Sequence, residues 1–399
     1  MSVNTMSFEQ SAAFLTALYE EATGQKPTLQ VANTADFTSV GTTLIQGGYD
    51  PIITALTQIL DRTIFAMRAY GKKFEDINVD DIRWGAVTRK INYLDTDLDA
   101  ADDRLTLTDG QSVDPYVVKK PKILQTQFYG NTQYQDSITI FRDQLDSALR
   151  DAAEFGRFIS GLMTNISNKH KQIEEAEARG ILANFIAAKA SVDTSNAINV
   201  LQAYYDETGT TLTPADMFAN SNYSDFTRWL AGFMTTLTDK MAERSIKYHM
   251  NITGKEIMRF TDGDNLRKYI SANVANYLET MVASGLYNPD RLSVITKGMN
   301  KVTYWQNLDN PYSVQATPAY LNTTTGAVDT ALSAVKVDNI LGVLFDRDAL
   351  GMVKRSTWSA ASPFNPRGGY YNIFWHWTQC TWNDFTENFV LLYADTVTP

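Results

Sequence analysis

The longest helical pattern in the chain runs from Phe141 to Lys189, and it limits what the remaining residues can fold into. Apolar residues recur at Leu145, Leu149, Ala152, Ala153, Ile159, Leu162, Met163 and Ile166, then at Ile173, Ala176, Ile181, Leu182 and Phe185. No proline interrupts them. A helix of about 25 residues or more spans roughly 40 Å, longer than a compact domain usually needs, so the pattern predicts a structural spine. Gly156, Gly161 and Gly180 weaken it, and Gly180 is expected to mark a bend or boundary. His170 with Glu174, and Lys171 with Glu175, are four apart and read as support on a solvated face.

Upstream, Phe8, Ala12, Leu15 and Leu18 predict a helix over 6–23, ended by Gly24 and Pro27. Residues 28–49 are rich in Thr, Gly, Asn and Gln and predict an extended arm. A second helical run opens at Pro51, continues through Ile52, Leu56, Ile59, Leu60, Ile64 and Met67, and stops at Gly71. Two short helices on a polar arm need a partner surface to be stable.

Between 79 and 140 the period changes to two. Ile82, Trp84, Val87, Ile91 and Tyr93 suggest one strand region, and residues 123–133 alternate through a second. From Asp95 to Asp114 the chain carries seven aspartates against one arginine, a composition whose charges repel and prefer water. The expectation is a long two-stranded projection with an acidic tip. Calcium is the tempting alternative, because Asp95, Asp97 and Asp99 alternate. The helix-loop-helix calcium pattern needs glycine and glutamate where Ala100 and Thr106 stand.

Residues 197–330 read as a mixed region. Helices are expected over Asn222–His249 and Asp264–Val282, and a short one capped by Thr213 with Pro214 at its first position. Strands are expected over Arg291–Tyr304, and Val335–Phe345 returns as a β run. No Pro/Gly linker frees a module, so the subdomains are expected to interleave, although 399 residues would allow one large domain or two to three ordinary ones.

Chemistry is sparse. A net charge of -10 argues against wrapping nucleic acid through many phosphate contacts. The single cysteine, Cys380, excludes an intrachain disulfide and reads as a buried small hydrophobe. His170, His249 and His376 lie far apart, so no metal or cofactor is expected. Phosphate-binding loop, nucleophile-elbow and His-Glu-x-x-His signatures are missing, and Gly254-Lys255-Glu256 has no preceding glycine loop. His376 with Asp384 and Glu387 is the nearest thing to a hydrolase arrangement. The plainer reading puts His376 on a strand among Phe374, Trp375 and Trp377, making a structural hydrogen bond. Asp80 and Asp81 are adjacent and cannot share a strand face. No enzyme is expected. The start of the chain shows no signal-peptide pattern and no window reaches 18 apolar residues, so synthesis in a cytoplasm without membrane insertion is expected.

The C-terminal sixty residues carry aromatic and aliphatic surface without reactive groups. Arg367-Gly368-Gly369 precedes the aromatic run Tyr370-Tyr371-Asn372-Ile373-Phe374-Trp375. The glycines would permit a turn that lets Tyr370 and Tyr371 dock, or Arg367 would reach an acidic patch on a neighbouring subunit. Together with Asp348-Ala349-Leu350-Gly351 and Trp382-Asn383-Asp384-Phe385-Thr386-Glu387-Asn388, this segment resembles the major capsid proteins of tailed double-stranded DNA bacteriophages. Within that group it is most similar to head proteins of small short-tailed phages of Gram-positive hosts and related gut phages.

The resemblance implies an α+β fold of the Hong Kong 97 phage type. Residues 1–71 would be the N-terminal arm, 72–135 the extended loop, and 136–196 the peripheral domain with its spine helix. Residues 197–330 would form the axial domain, and 331–399 would return through both. It further implies self-assembly as pentamers and hexamers into an icosahedral head around double-stranded DNA, bound without sequence specificity. Partners would be the portal protein and separate scaffolding, head-fibre or decoration proteins, in a virion assembled in the bacterial cytoplasm. Candidate inter-subunit contacts are Arg367, Tyr370, Tyr371, Trp375 and Asp384. No charged coiled-coil scaffolding segment is recognised at the N-terminus, so scaffolding, if used, would be a separate protein or have been removed. No Lys–Asn pair for crosslinking is recognised, so assembly is expected to be non-covalent. A portal or tail component is the competing structural role, and a hydrolase the remote one.

Overall fold

The computed structural model describes residues 7–66, 74–77, 88–94, 107–112, 116, 118, 120–128, 131–219, 221–285, 299–331 and 333–398. Three helices come first: α1 (Phe8–Thr23), α2 (Thr34–Gln46) and α3 (Tyr49–Ala66). At the start of α1, Ser7 Oγ accepts from the Gln10 amide while the Gln10 side chain accepts from the Ser7 amide; Gly24 closes it in the left-handed region. The arm expected to be extended over 28–49 instead contains α2. Asn33 caps it by accepting from the Asp36 amide, and Phe37, Val40, Gly41 and Leu44 form its buried stripe. Polar composition concealed the stripe, because the intervening threonines bond back to carbonyls four residues earlier.

Strands β1 (Thr88–Tyr93) and β2 (Ile123–Phe128) pair antiparallel, Tyr93 opposite Ile123 and Thr88 opposite Phe128. Most of the expected acidic tip, including Asp95, Asp97, Asp99 and Asp114, lies outside the described residues, as do Met67, Gly71, Asp80, Asp81, Ile82, Trp84 and Val87.

The 141–189 helical pattern resolves into three pieces. Strand β3 (Asn131–Phe141) runs into α4 (Arg142–Ala148), and after a break α5 spans Ala152–Ser191. The 40 residues of α5 extend about 60 Å. Gly180 does not bend it. A Cβ there would meet open space, and the buried neighbours Ala178, Ile181 and Leu182 hold the helix through that point. The boundary falls instead at Asp151, which caps α5 by accepting from the Ala153 amide.

The chain continues through β4 (Ala197–Asn199), α6 (Val200–Thr208), α7 (Tyr223–Ala242), β5 (Leu266–Ser271), α8 (Ala272–Gly285) and β6 (Met299–Val302). Short strands β7 (Val314–Ala316), β8 (Ala319–Leu321), β9 (Val328–Thr330) and β10 (Val335–Val337) follow. Strands β11 (Ile340–Asp346), β12 (Leu350–Ala361), β13 (Tyr370–Asn383) and β14 (Phe389–Tyr393) complete it. The helix expected from Asp264 begins only at Ala272. Leu266 and Ile270 are four apart, a separation that shares one face in a helix and, being even, also in a strand. Pairing of β5 with β11 and β6 decides for the strand. The expected Thr213–Pro214 helix is a turn, with Thr213 Oγ1 donating to Asp216. The 335–345 run is two strands parted near Asn339, whose φ is +51°. Of the strands expected over 291–304 only β6 is described, since 286–298 lie outside the described residues.

A five-stranded sheet in the order β4-β14-β11-β5-β6 forms the centre. One face, with Tyr269, Val343, Phe345, Phe389 and Leu391, packs on Leu182, Phe185 and Ile186 of α5. The other, with Leu266, Ile270, Leu344 and Val390, packs on Phe226, Leu230 and Leu278. Burial on both sides explains why β11 reads as an unbroken apolar run. A separate three-stranded antiparallel sheet, β12-β13-β3, aligns Tyr370 with Phe141 and Trp377 with Tyr134. Tyr371, Ile373 and Trp375 of β13 join a third core with α1–α3 and the first half of α5, where Phe155 meets Phe14 and Phe37 edge-on.

Candidate assembly surface

Two features converge on the C-terminal strands: the root of the β1–β2 hairpin and the turn before β13. At the root, alternation splits the hairpin into two faces. Asn92 and Leu124 are buried and Phe128 lies 5.8 Å from Trp382, while Ile91, Tyr93 and Ile123 on the opposite face are exposed. Lys90 shares the inner face. Its Nζ donates to Asp384 Oδ2 at 2.7 Å and to Glu387 Oε1. Arg259 lies 3.0 Å from the same Glu387 oxygen and donates from Nε to the Thr386 carbonyl. Burial alone would lower the Lys90 ammonium, but Asp384 and Glu387 together hold it above its ordinary value. Burial pushes the Glu387 carboxyl up, against the opposing pull of Lys90 and Arg259.

The carboxylates are held from behind. Asp384 Oδ1 accepts from both the amide and the hydroxyl of Thr386. Asn388 donates to Thr261 Oγ1, which in turn donates to Asp346. His249 closes this network, with Nδ1 3.1 Å from Asn388 Oδ1 and Nε2 2.7 Å from the Ile257 carbonyl; burial lowers its pKa. The Trp382–Asn388 motif is therefore the clasp that ties the hairpin root to the central sheet.

The second feature is the turn at 365–369. Asn365 Oδ1 accepts from the amides of Arg367 and Gly368, and Gly369 takes a φ of +66°. A Cβ on Gly368 would fall 2.2 Å from the Tyr370 ring. The glycines thus let Tyr370 dock, as expected from sequence, with its hydroxyl accepting from Asn365 Nδ2. Arg367 is exposed at the apex. Tyr371 points inward and donates to Asp50 at 2.8 Å; its phenol is pushed up to about 12, first by burial and then by that carboxylate.

Of the five candidate contact residues, Arg367 and Tyr370 stand together at the surface, whereas Tyr371, Trp375 and Asp384 are buried within the subunit. His376 does not meet Asp384 and Glu387 as a base would. It stacks on Trp358 at 4.0 Å, where a structural hydrogen bond was expected, and the two carboxylates are taken by Lys90 and Arg259. Cys380 is fully buried, as expected. Sequence reading missed Lys90, Arg259 and Asp50, whose partners are more than a hundred residues away. Asn365 was findable, since Asn-Pro-Arg-Gly is a turn signature. Among the described residues no group of His, Cys, Asp and Glu could hold a metal ion, and no helix is long and apolar enough to cross a membrane.

The architecture is shared with solved phage particles. A chain in the capsid structure of Staphylococcus phage Andhra matches with a TM-score of 0.55 and 12% identity over 83% of this chain and 85% of that one. A chain in a structure of native bacteriophage P68, reported for its head fibre and inner core protein, matches with a TM-score of 0.53 and 11% identity, covering 82% and 85%. At such identities the likeness is one of fold, and the fold is the mixed α+β architecture of a phage capsid chain. No curated protein matches the sequence. The Phi29-like phage major capsid protein family matches residues 15–393, nearly the whole chain, and the chain belongs to that family. Its role is structural, that of a major capsid protein.

Proposed function

We propose that the chain assembles as pentamers and hexamers into an icosahedral head around double-stranded DNA, using the parts of the Hong Kong 97 phage type. Residues 1–71 serve as the arm, 72–135 as the extended loop, 136–196 as the peripheral domain with α5 as spine, 197–330 as the axial domain, and 331–399 return through both. The observation that carries this reading is the two-faced hairpin. Its inner face is fastened by Lys90 to Asp384, while Ile91, Tyr93 and Ile123 face outward without cover. A hairpin of two strands is marginal alone, and an apolar outer face gains stability by lying on a neighbouring subunit.

The contact is one of area. At about 25 cal/mol per Å² of apolar surface, a few hundred Å² per contact outweighs an exposed ion pair worth under about 1 kcal/mol. Ordering and association costs offset much of that gain, and repetition over the shell supplies the rest. Arg367 and Tyr370 make a second contact at the turn, with Tyr371, Trp375 and Asp384 fixing the strand and the clasp behind them. Portal, scaffolding, and head-fibre or decoration proteins are the expected partners, in a virion assembled in the bacterial cytoplasm.

Negative-stain electron microscopy of the protein expressed alone, and then with neighbouring phage proteins, tests the reading. Closed polyhedral shells or free pentamers and hexamers support it. A dodecameric ring or a tube would assign a portal or tail role, and monomers under both conditions would reject self-assembly.

A further inference from the structure

One face of α5 changes character along its length. Met163 and Ile166 belong to the core shared with α1–α3, and Ile181 to the core on the central sheet. Between them, at the same three- and four-residue spacing, stand His170, Glu174 and Glu177. These face the three-stranded sheet. The His170 ring lies 4.5 Å from that of Trp377, with Nε2 3.7 Å from Asp136 Oδ2. Glu174 pairs with Lys354, and Glu177 accepts from the Tyr134 hydroxyl. The helix is thus held by apolar packing at both ends of this stretch and by a buried polar layer in the middle.

That layer is incompletely satisfied. His170 Nε2, Asp136 Oδ2, Glu177 Oε2 and both polar atoms of the Gln379 side chain are buried with no hydrogen-bond partner among the described residues. Interdigitated apolar side chains resist displacement, whereas ion pairs and hydrogen bonds can exchange partners over small movements. We propose that the layer is a proton-operated seam: protonation of His170 loosens residues 167–177 of α5 from the three-stranded sheet while the apolar cores on either side stay packed.

The groups facing His170 set the direction. Lys354 on β12 and Lys169 on α5 oppose a positive ring, while Asp136 on β3 and Glu174 on α5 favour it. Glu177 and Tyr134 lie one turn further along, and β13 contributes Trp375, Trp377 and Gln379 to this face, none of which titrates. Burial, then Lys354, hold His170 below its ordinary value. A base held down in the packed layer takes a proton more readily in the loosened one, so acidification below about pH 6.5 populates the loosened form. Glu177 has the opposite sign: burial raises its carboxyl, so acid relieves a buried charge there and does not drive the opening.

Hydrogen–deuterium exchange of the full chain at about pH 7.5 and about pH 5.5, corrected for intrinsic exchange, tests the seam. Protection over 167–177 should fall several-fold, up to the roughly ten-fold limit that one histidine can supply, at the lower pH, with 155–166 and 181–189 unchanged. His170→Gln should abolish the difference and Glu177→Gln should retain it. Equal protection at both pH values, loosening spread through both cores, or an unchanged response in His170→Gln overturns the proposal. If His170→Gln does not fold, ring NMR of the wild type decides, since only three histidines are present. His170 titrating below the ordinary histidine value of about 6.5 supports the seam; titration at or above that value overturns it.

Discussion

Lys90 Nζ lies 2.7 Å from Asp384 Oδ2, joining the β1–β2 strand pair to a loop 294 residues later in the chain. The carboxylate is 1% exposed and the lysine side chain 23% exposed, so the pair is largely withdrawn from water. Removing the ammonium leaves Asp384 buried with only the Thr386 donors. Lys90→Met, which keeps the apolar stem, should cost about 2–4 kcal/mol in denaturant unfolding of the purified subunit, and should speed proteolysis within the hairpin. A variant as stable as wild type would show that the clasp contributes nothing.

Gly368 tests the turn. Its missing Cβ is filled by the Tyr370 ring, so Gly368→Ala should lower the melting temperature through a loss of about 1–3 kcal/mol. Truncating the ring removes the clash, and the Gly368→Ala, Tyr370→Ala double variant should be more stable than the sum of the single losses predicts. Strict additivity in the double-mutant cycle would exclude the clash as the cause.

Tyr371 gives a pH signature. Its phenol is raised in the folded chain, so its contribution is complete below the unfolded value of about 10 and disappears as pH rises through about 12. Tyr371→Phe should be about 1 kcal/mol less stable at neutral pH, through loss of the bond to Asp50. The gap in thermal midpoint should close between about pH 10 and about pH 12, and a constant gap would refute the assignment.

Arg367 separates folding from assembly. It is exposed at the apex of the turn, so Arg367→Ala should leave the melting temperature within about 0.5 kcal/mol equivalent of wild type. Particle yield by sedimentation and electron microscopy should fall. Normal shells from this variant would remove Arg367 from the set of inter-subunit contacts.

Several elements were legible because their signals are local. Helix α1 announced itself through spaced apolar residues and Gly24, and Gly368-Gly369 signalled a turn that only small residues permit. Helix α2 was not legible, since its stripe of Phe37, Val40 and Leu44 is diluted by threonines and acquires meaning only against Phe155. The 264–271 segment was misread for a different reason: a four-residue spacing satisfies both helix and strand, and the pairing with β11 arbitrates. His170 and Glu174 resembled a solvated face because periodicity reports spacing and not which side is covered.

The amino-acid sequence by itself determined that a long helix runs through this part of the chain, though not its bounds, together with the burial of the aromatic C-terminal strands, the shortage of catalytic groups and the resemblance to phage head proteins. These depend on residue type and short-range spacing, which the chain carries wherever it folds. Tertiary structure alone decided that Lys90 meets Asp384, that Tyr371 reaches Asp50, and that a polar layer under α5 parts two apolar cores. The partners in each case are far apart along the chain, and their attraction depends on a shared exclusion of water that exists only once the sheets and helices have packed.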